Sequence, residues 1–360
     1  MRVDVHAHML PLDCVREMTR LAPDVAPKIV PDPETGRERG TIAGKPFGPF
    51  GPGMYDPDVR LREYDAWGLD LQAVSPIPFS FYYWLEPELG ATFARLQNDA
   101  LAEVVRAAPD RFVGLATVPL QDVGRAVAEL ERAIGQLGFK GVEIGTNVDG
   151  RNLDDAALEP FWAAAERLDA FVFVHPEQVA GIERLQRYFL VNLIGNPLDT
   201  TIAIASLVFG GVLERHPRLK LCFAHGGGFA PYQWGRWEHG WRHRSNARGV
   251  IERPPSDYLS RLYFDALLFA PRSLAFLVET FGSDQVLLGT DYPFEMRPED
   301  PVGSIEAVPG LSSAQREAIL GGNALRLLGL EQSRERGRGL VGSDSQSVGQ
   351  IGRERSDEQW

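Results

Sequence analysis

The sequence is poor in cysteine and in positive charge, and it lacks a long unbroken apolar run. Its two cysteines, Cys14 and Cys222, are too few for a disulfide framework, and Cys222 lies in an apolar run where a small buried thiol is the ordinary outcome. Reducing surroundings fit that usage. Lysine and arginine number 37 against 49 aspartates and glutamates, giving a formal charge of -12 and a pI near 5.2. This is the wrong sign for counterion release on nucleic acid or for attraction to an anionic lipid surface, so neither partner is expected. No apolar run approaches the roughly 18 residues of a membrane span, and the opening Met1-Arg2-Val3-Asp4-Val5-His6 has no apolar leader core. A cytoplasmic protein with no membrane partner is the expectation.

What is present is ample core material. With 360 residues and 44% of them apolar, the chain can form two or three small domains or one large barrel with a tail. Eight short aliphatic runs recur: Val3 to His6, Leu71 to Pro76, Phe112 to Val118, Gly141 to Ile144, Phe171 to His175, Leu219 to His225, Leu262 to Asp265 and Val286 to Asp291. They read as parallel strands buried on both faces. Amphipathic helical patterns lie between them, among them Phe93 to Ala107, Val123 to Leu137, Leu158 to Leu168, Thr200 to Glu214 and Ser273 to Thr280. This alternation predicts a (β/α)8 TIM barrel over residues 1–332. The Pro- and Gly-dense stretch from about 9 to 60 predicts an insertion over the barrel mouth instead of a simple returning helix. The polar stretch 333–360 predicts a disordered tail.

In such a barrel the C-terminal ends of the strands face the active site. Four of the seven histidines stand there: His6 and His8 on strand one, His175 on strand five and His225 on strand six, while Asp291 ends strand eight. One such histidine alone would be an ordinary packed residue; the coincidence is what carries weight. His6 and His8 share a strand face and can share an ion. The mixed nitrogen and oxygen set suits a borderline divalent ion, with zinc expected. Catalytic zinc takes three or four protein ligands and keeps a position for water, which leaves one imidazole over. His225 opens His225-Gly226-Gly227-Gly228, where substrate and backbone can approach closely, so it is the candidate base. Strand four, Val142-Glu143-Ile144-Gly145, ends without a lysine that could be carbamylated to bridge two metals, and a single ion is expected.

The motifs His6-Ala7-His8, Phe173-Val174-His175-Pro176, Phe223-Ala224-His225-Gly226-Gly227-Gly228 and Gly289-Thr290-Asp291-Tyr292-Pro293-Phe294 resemble the amidohydrolase-related decarboxylase family, in the branch of the aminocarboxymuconate-semialdehyde decarboxylases. The resemblance runs from strand one to Leu330. It implies that His6, His8, His175 and Asp291 bind one zinc ion per subunit and that His225 activates the bound water. It also implies a homodimer in which Arg236 reaches the neighbouring site to hold a substrate carboxylate, with Arg244 a second candidate. Three features depart from the family. Gly48 falls where another carboxylate-binding arginine is expected, and no basic residue lies between Pro46 and Tyr55. Glu177-Gln178 replaces Trp-Asp, and Asn192 replaces a pocket tryptophan. Glu177 and Asn192 are thus candidate substrate contacts, and Lys45 or Arg60 candidate replacements for the lost arginine.

The expected activity is zinc-dependent, oxygen-independent decarboxylation of a small unsaturated or aromatic acid, carboxymuconate-semialdehyde-like or hydroxybenzoate-like, with His225 and Asp291 in catalysis. A zinc hydrolase of a small lactone or amide, or a hydratase, is the alternative on the same residues. The aromatic run Phe79, Phe81, Tyr82, Tyr83 and Trp84 suits either a flat pocket or packing of the insertion. Asp265, ending strand seven, suits either orientation of an imidazole or a structural hydrogen bond.

Overall fold

Eight strands pair in parallel in chain order. They are β1 (Val3–Met9), β2 (Leu71–Pro76), β3 (Phe112–Ala116), β4 (Gly141–Gly145), β5 (Phe171–His175), β6 (Lys220–Phe223), β7 (Tyr263–Asp265) and β8 (Val286–Leu287). The sheet closes on itself, for Val5 N–H donates to Leu288 O (3.0 Å), Asp291 N–H to His6 O (2.8 Å) and His8 N–H to Tyr292 O (2.8 Å). This is the barrel that the alternation predicts. The computed structural model describes residues 1–32 and 35–331; the tail expected at 333–360 lies outside the described residues.

The returning helices are α1 (Pro57–Trp67), α2 (Pro87–Ala107), α3 (Val123–Gly135), α4 (Glu159–Arg167), α5 (Asn196–Phe209), α6 (Ala230–His243) and α7 (Pro271–Phe281), and α8 (Asn323–Leu327) follows the last strand. Local signals set several of their ends. The Asp56 carboxylate caps α1 by accepting from the backbone N–H of Asp58 and Val59, and Gly68 ends that helix in the left-handed conformation. Both strand faces are buried, which is why the strands read as continuous apolar runs. On β5, Val172 and Val174 pack under the helices, whereas Phe171 and Phe173 fill the barrel with Val3, Val5, Leu115, Cys222 and Leu287. Ala324, Leu325 and Leu327 from α8 join this inner cluster.

The insertion is more ordered than its Pro and Gly content suggests. It holds a helix (Leu12–Leu21) and a three-stranded antiparallel sheet (Lys28–Pro31, Glu38–Ile42, Lys45–Phe50) over a satellite core of Leu10, Met18, Phe50, Met54 and Phe93. Pro46 and Pro49 are accommodated because Lys45–Phe50 is an edge strand. One expectation about hydropathy needs correction. The helical stretch Val191–Phe209, of 19 residues, is long and apolar enough to cross a membrane by length and composition, with mean hydropathy 1.2. Counting unbroken apolar runs misses it because Asn196, Pro197 and Asp199 interrupt the stretch. In the fold it is a barrel helix, with Ala203, Ile204, Leu207 and Val208 in the core.

Candidate active site

β1 carries two imidazoles into the barrel by way of an irregularity. Its register against β2 shifts between Asp4 and Ala7, so that adjacent residues Val5 and His6 both face inward: Val5 in the inner cluster, His6 with its ring 4.7 Å from that of Phe173. Such a bulge re-aims side chains at the strand end. Asp4 is left facing the helix layer, where its carboxylate accepts from Thr290 Oγ1 (2.6 Å) and the Tyr64 hydroxyl. His175 follows Phe171 and Phe173 on the inner face of β5 by simple alternation.

The other two groups arrive through turns. After Cys222 and Ala224, alternation would point His225 out into the helices, but the residue adopts φ 56° and its ring comes within 5.4 Å of His6 and 5.2 Å of His175. The left-handed turn continues through Gly226, Gly227 and Gly228, and a Cβ at Gly228 would lie 2.1 Å from Pro197 O, so glycine is required. Asp291 also has positive φ, 59°. Gly289, just before it, lies against Asp265 and His6, where a Cβ would approach within 3.0 Å of the His6 Cβ.

The result is convergence. One ligand atom from each of His6, His8, His175 and Asp291 lies within 4.8 Å of the others, and all four residues are buried. His6 Nε2 is 3.4 Å and His8 Nε2 3.2 Å from Asp291 Oδ1. Yet these atoms, and both nitrogens of His175, have no hydrogen-bond partner among the described residues. Buried lone pairs that face one centre and not each other are costly unless a cation fills it. The donor set fits a divalent ion, and the four residues are those named from the sequence. His225 stands beside them, its Nε2 3.7 Å from Asp291 Oδ2.

Carboxylates behind the imidazoles orient them. Asp265 Oδ2 is 2.7 Å from His6 Nδ1, while its Oδ1 accepts from Gly226 N–H and Leu267 N–H. This leaves His6 Nε2 for the centre, so Asp265 both orients an imidazole and ties the glycine turn to β7. His8 Nδ1 faces Ser75 Oγ at 3.2 Å and Glu143 Oε2 at 3.5 Å. The sequence offers no sign of the Ser75 and Glu143 roles, because strand pairing sets Ser75 beside His8 and only the closed barrel brings Glu143 of β4 to it.

Electrostatics agree with a cation site. Burial opposes charge on His6, but Asp291 and Asp265 outweigh it and push the imidazole up to about 10. Burial and the neighbouring imidazoles of His8, His6 and His225 hold His175 well below the usual histidine range. Asp291 is held well below the carboxylate range because the imidazoles overcome its burial. The centre therefore keeps the Asp291 carboxylate ionised, while His6 and His8, beside carboxylates, are raised and His175 is lowered.

A cavity of about 240 Å³ opens beside His225 and Asp291, lined also by Asn192, Leu193, Asn196, Pro197, Phe229, Leu267, Phe269 and Met296. Asn192 is thus where a substrate contact is expected, and Asn196, one helical turn on, was not singled out. Arg236 and Arg244 are exposed along and just past α6, away from this lining. Glu177 lies outside the lining as well, half-buried near Lys45 and Asp199, and burial pushes it up to about 7 despite Lys45 and Gln178. Arg60 is scaffold and no substitute for the missing arginine: fully buried, it donates to Gly53 O, Gln72 Oε1 and His8 O. Of the aromatic run, Phe81, Tyr82 and Tyr83 are buried, and exposed Phe79 stacks on Phe47 of the insertion at 5.2 Å, so packing is their main task.

A family model described as Amidohydrolase matches residues 3–330. The 2-amino-3-carboxymuconate-6-semialdehyde decarboxylase of Dictyostelium discoideum is 41% identical over 294 residues, 81% of this chain and 82% of that protein. The gamma-resorcylate decarboxylase of Rhodococcus jostii is 30% identical over 66% of this chain and 77% of its own. Among solved structures, 5-carboxyvanillate decarboxylase from Sphingomonas paucimobilis shares the fold with a TM-score of 0.77 at 23% identity, covering 91% of this chain and 98% of that one. A match that begins in the first barrel strand and ends past the last helix leaves one placement: the chain belongs to the amidohydrolase family, in its amidohydrolase-related decarboxylase branch.

Proposed function

We propose that the protein is a metal-dependent carboxy-lyase that decarboxylates a small unsaturated or aromatic acid without oxygen. In this reading His6, His8, His175 and Asp291 hold one zinc ion per subunit and His225 is the acid-base group. The observation that carries it is the set of four buried ligand atoms without hydrogen-bond partners, with a fifth, imidazole-bearing residue beside them at the cavity. When bound, the ion supplies Lewis acidity and makes adjacent water more acidic. His225 holds a proton at Nε2, next to the Asp291 carboxylate, and delivers it to the substrate carbon that bears the carboxylate. Protonation there interrupts conjugation; the carbon–carbon bond to the carboxylate then breaks, its electrons return to the conjugated system, and carbon dioxide leaves. The apolar walls of the cavity keep bulk water from that carbon. Positioned acid–base help of this kind contributes about 10² to 10⁴-fold.

A homodimer completes the reading. Arg236 makes no hydrogen bond or ion pair with the described residues of its own chain, and large apolar side chains are exposed, among them Phe189, Tyr232 and, in the cavity lining, Phe269. Exposed apolar side chains of this size fit a partner surface, and a second copy would bring Arg236, or Arg244, to hold a substrate carboxylate. The test is metal analysis followed by product analysis on a panel of carboxymuconate, hydroxybenzoate and lactone compounds. Carbon dioxide release from an acid, dependent on the metal, is the expected result. Ring-opened acid from a lactone with no carbon dioxide from any acid would replace this reading with the hydrolase.

A further inference from the structure

A second cavity, of about 160 Å³, lies beside the one that opens at His225. Leu267 and Phe269 line both, so the two are neighbours across the loop that follows β7. Two tight turns hold that loop: Leu268 N–H donates to Ala266 O (2.9 Å) and Ala270 N–H to Leu268 O (2.7 Å). Within the lining, Leu267, Leu274 of α7, Leu288 and Gly289 are buried, while Phe269 and Ala270 are exposed. Among the described residues no ionisable side chain lines this cavity, whereas His225 and Asp291 line its neighbour. Its one side-chain hydroxyl, on Ser304 in the helix Pro301–Glu306, already donates to Pro301 O (2.7 Å).

We infer that this cavity is a second ligand site, for one small neutral ring, and that it excludes charged ligands. The volume sets the size, since an apolar cavity of about 150 Å³ holds benzene or xenon. The lining sets the charge. An anion would lose its hydration among Leu267, Leu274 and Leu288 with neither a cation nor a free hydroxyl proton in exchange, and an ammonium would find no carboxylate. A neutral ring gives up only apolar hydration, which favours its burial. Decarboxylation exchanges the carboxylate of an aromatic acid for a proton and releases carbon dioxide, so the ring product matches this cavity and the acid does not. That link to the product rests on the decarboxylase reading; the site for a neutral ring stands without it.

Crystals of the metal-loaded enzyme, put under xenon pressure or soaked with toluene, phenol, benzoate or benzylammonium, locate the site without a variant. Xenon, toluene and phenol should each appear between Leu267, Leu274 and Leu288, and the two ions should leave this cavity vacant. In solution, Leu274→Trp and Ser304→Trp each add an indole to the lining, the second at an exposed position that spares the core. Toluene binding by calorimetry should weaken at least about tenfold in each variant that folds, while metal content is retained. A cavity that stays empty under xenon and toluene overturns the inference, as does benzoate or benzylammonium bound within it, or toluene affinity that survives Ser304→Trp. Absence of carbon dioxide release from every acid would instead remove the decarboxylase reading and the link to its product, and leave the neutral-ring site to the crystals.

Discussion

Replacing His225 with alanine separates proton transfer from metal binding. The ring sits on a left-handed residue at φ 56°, with Nε2 3.7 Å from Asp291 Oδ2, and it is not one of the four residues whose ligand atoms fall within 4.8 Å of each other. Its removal leaves those four intact, so His225→Ala should retain the wild-type metal stoichiometry. Turnover should fall by about 10² to 10⁴-fold, roughly 3 to 5 kcal/mol of transition-state stabilisation. Folding should change little. Alanine meets the same left-handed backbone cost as histidine, about 1 kcal/mol, so the penalty is common to both chains. The assay combines elemental analysis, a thermal melt and carbon dioxide release across pH on the same preparation. His6→Ala is the contrast, expected to lose the metal and with it the activity. A fully metallated His225→Ala enzyme that turns over at the wild-type rate would refute the assignment, as would a His225→Ala protein that purifies without metal.

Asp265→Asn removes the charge that faces His6 Nδ1 at 2.7 Å, so metal affinity should drop about 10 to 100-fold by chelator competition; an unchanged affinity would leave Asp265 with the glycine turn alone. Burial raises Glu177 from its ordinary 4.5 to about 7, so the folded chain holds that proton more tightly than the unfolded chain and loses stability as pH rises across this window. Glu177→Gln should accordingly raise the melting temperature at pH 8 by about 2 °C and leave it unchanged near pH 4.5; equal shifts at both pH values would contradict the sign. If Arg236 acts across a homodimer, mixing and reassembling inactive His225→Ala and Arg236→Ala chains should restore about a quarter of wild-type activity, because half the dimers then carry one complete site. No recovery from a demonstrated heterodimer would place Arg236 in its own subunit's chemistry or outside catalysis.

Much of the barrel was legible because its strands are buried on both faces and so stand out as apolar runs between amphipathic ones. Their ends were less so. β6 stops at Phe223 and the β8 ladder at Leu287, whereas the apolar runs continue to His225 and Asp291. Those last residues are not strand but left-handed turns, and apolar periodicity carries no information about φ. The insertion hid its strands for a related reason: Lys45–Phe50 pairs on one edge only, so it tolerates the prolines that would exclude a central strand. Arg60 looked like a free cation in sequence, yet the closed fold buries it beneath β1.

By itself the sequence determined the inventory: three imidazoles and one carboxylate at strand ends, a further imidazole beside three glycines, and an arginine missing from the insertion. Those are properties of residue type and order, which local periodicity places on elements. The tertiary structure decided what the inventory becomes. His6 and Asp265, 259 residues apart, meet because β7 and β8 complete a barrel that closes onto β1. The bulge in β1 and the left-handed backbone at His225 and Asp291 then aim the side chains, overriding the alternation that strand geometry would impose. Asn196 and His225 likewise come to line one cavity only in the folded chain, since proximity through space is a property of closure and not of spacing along the chain.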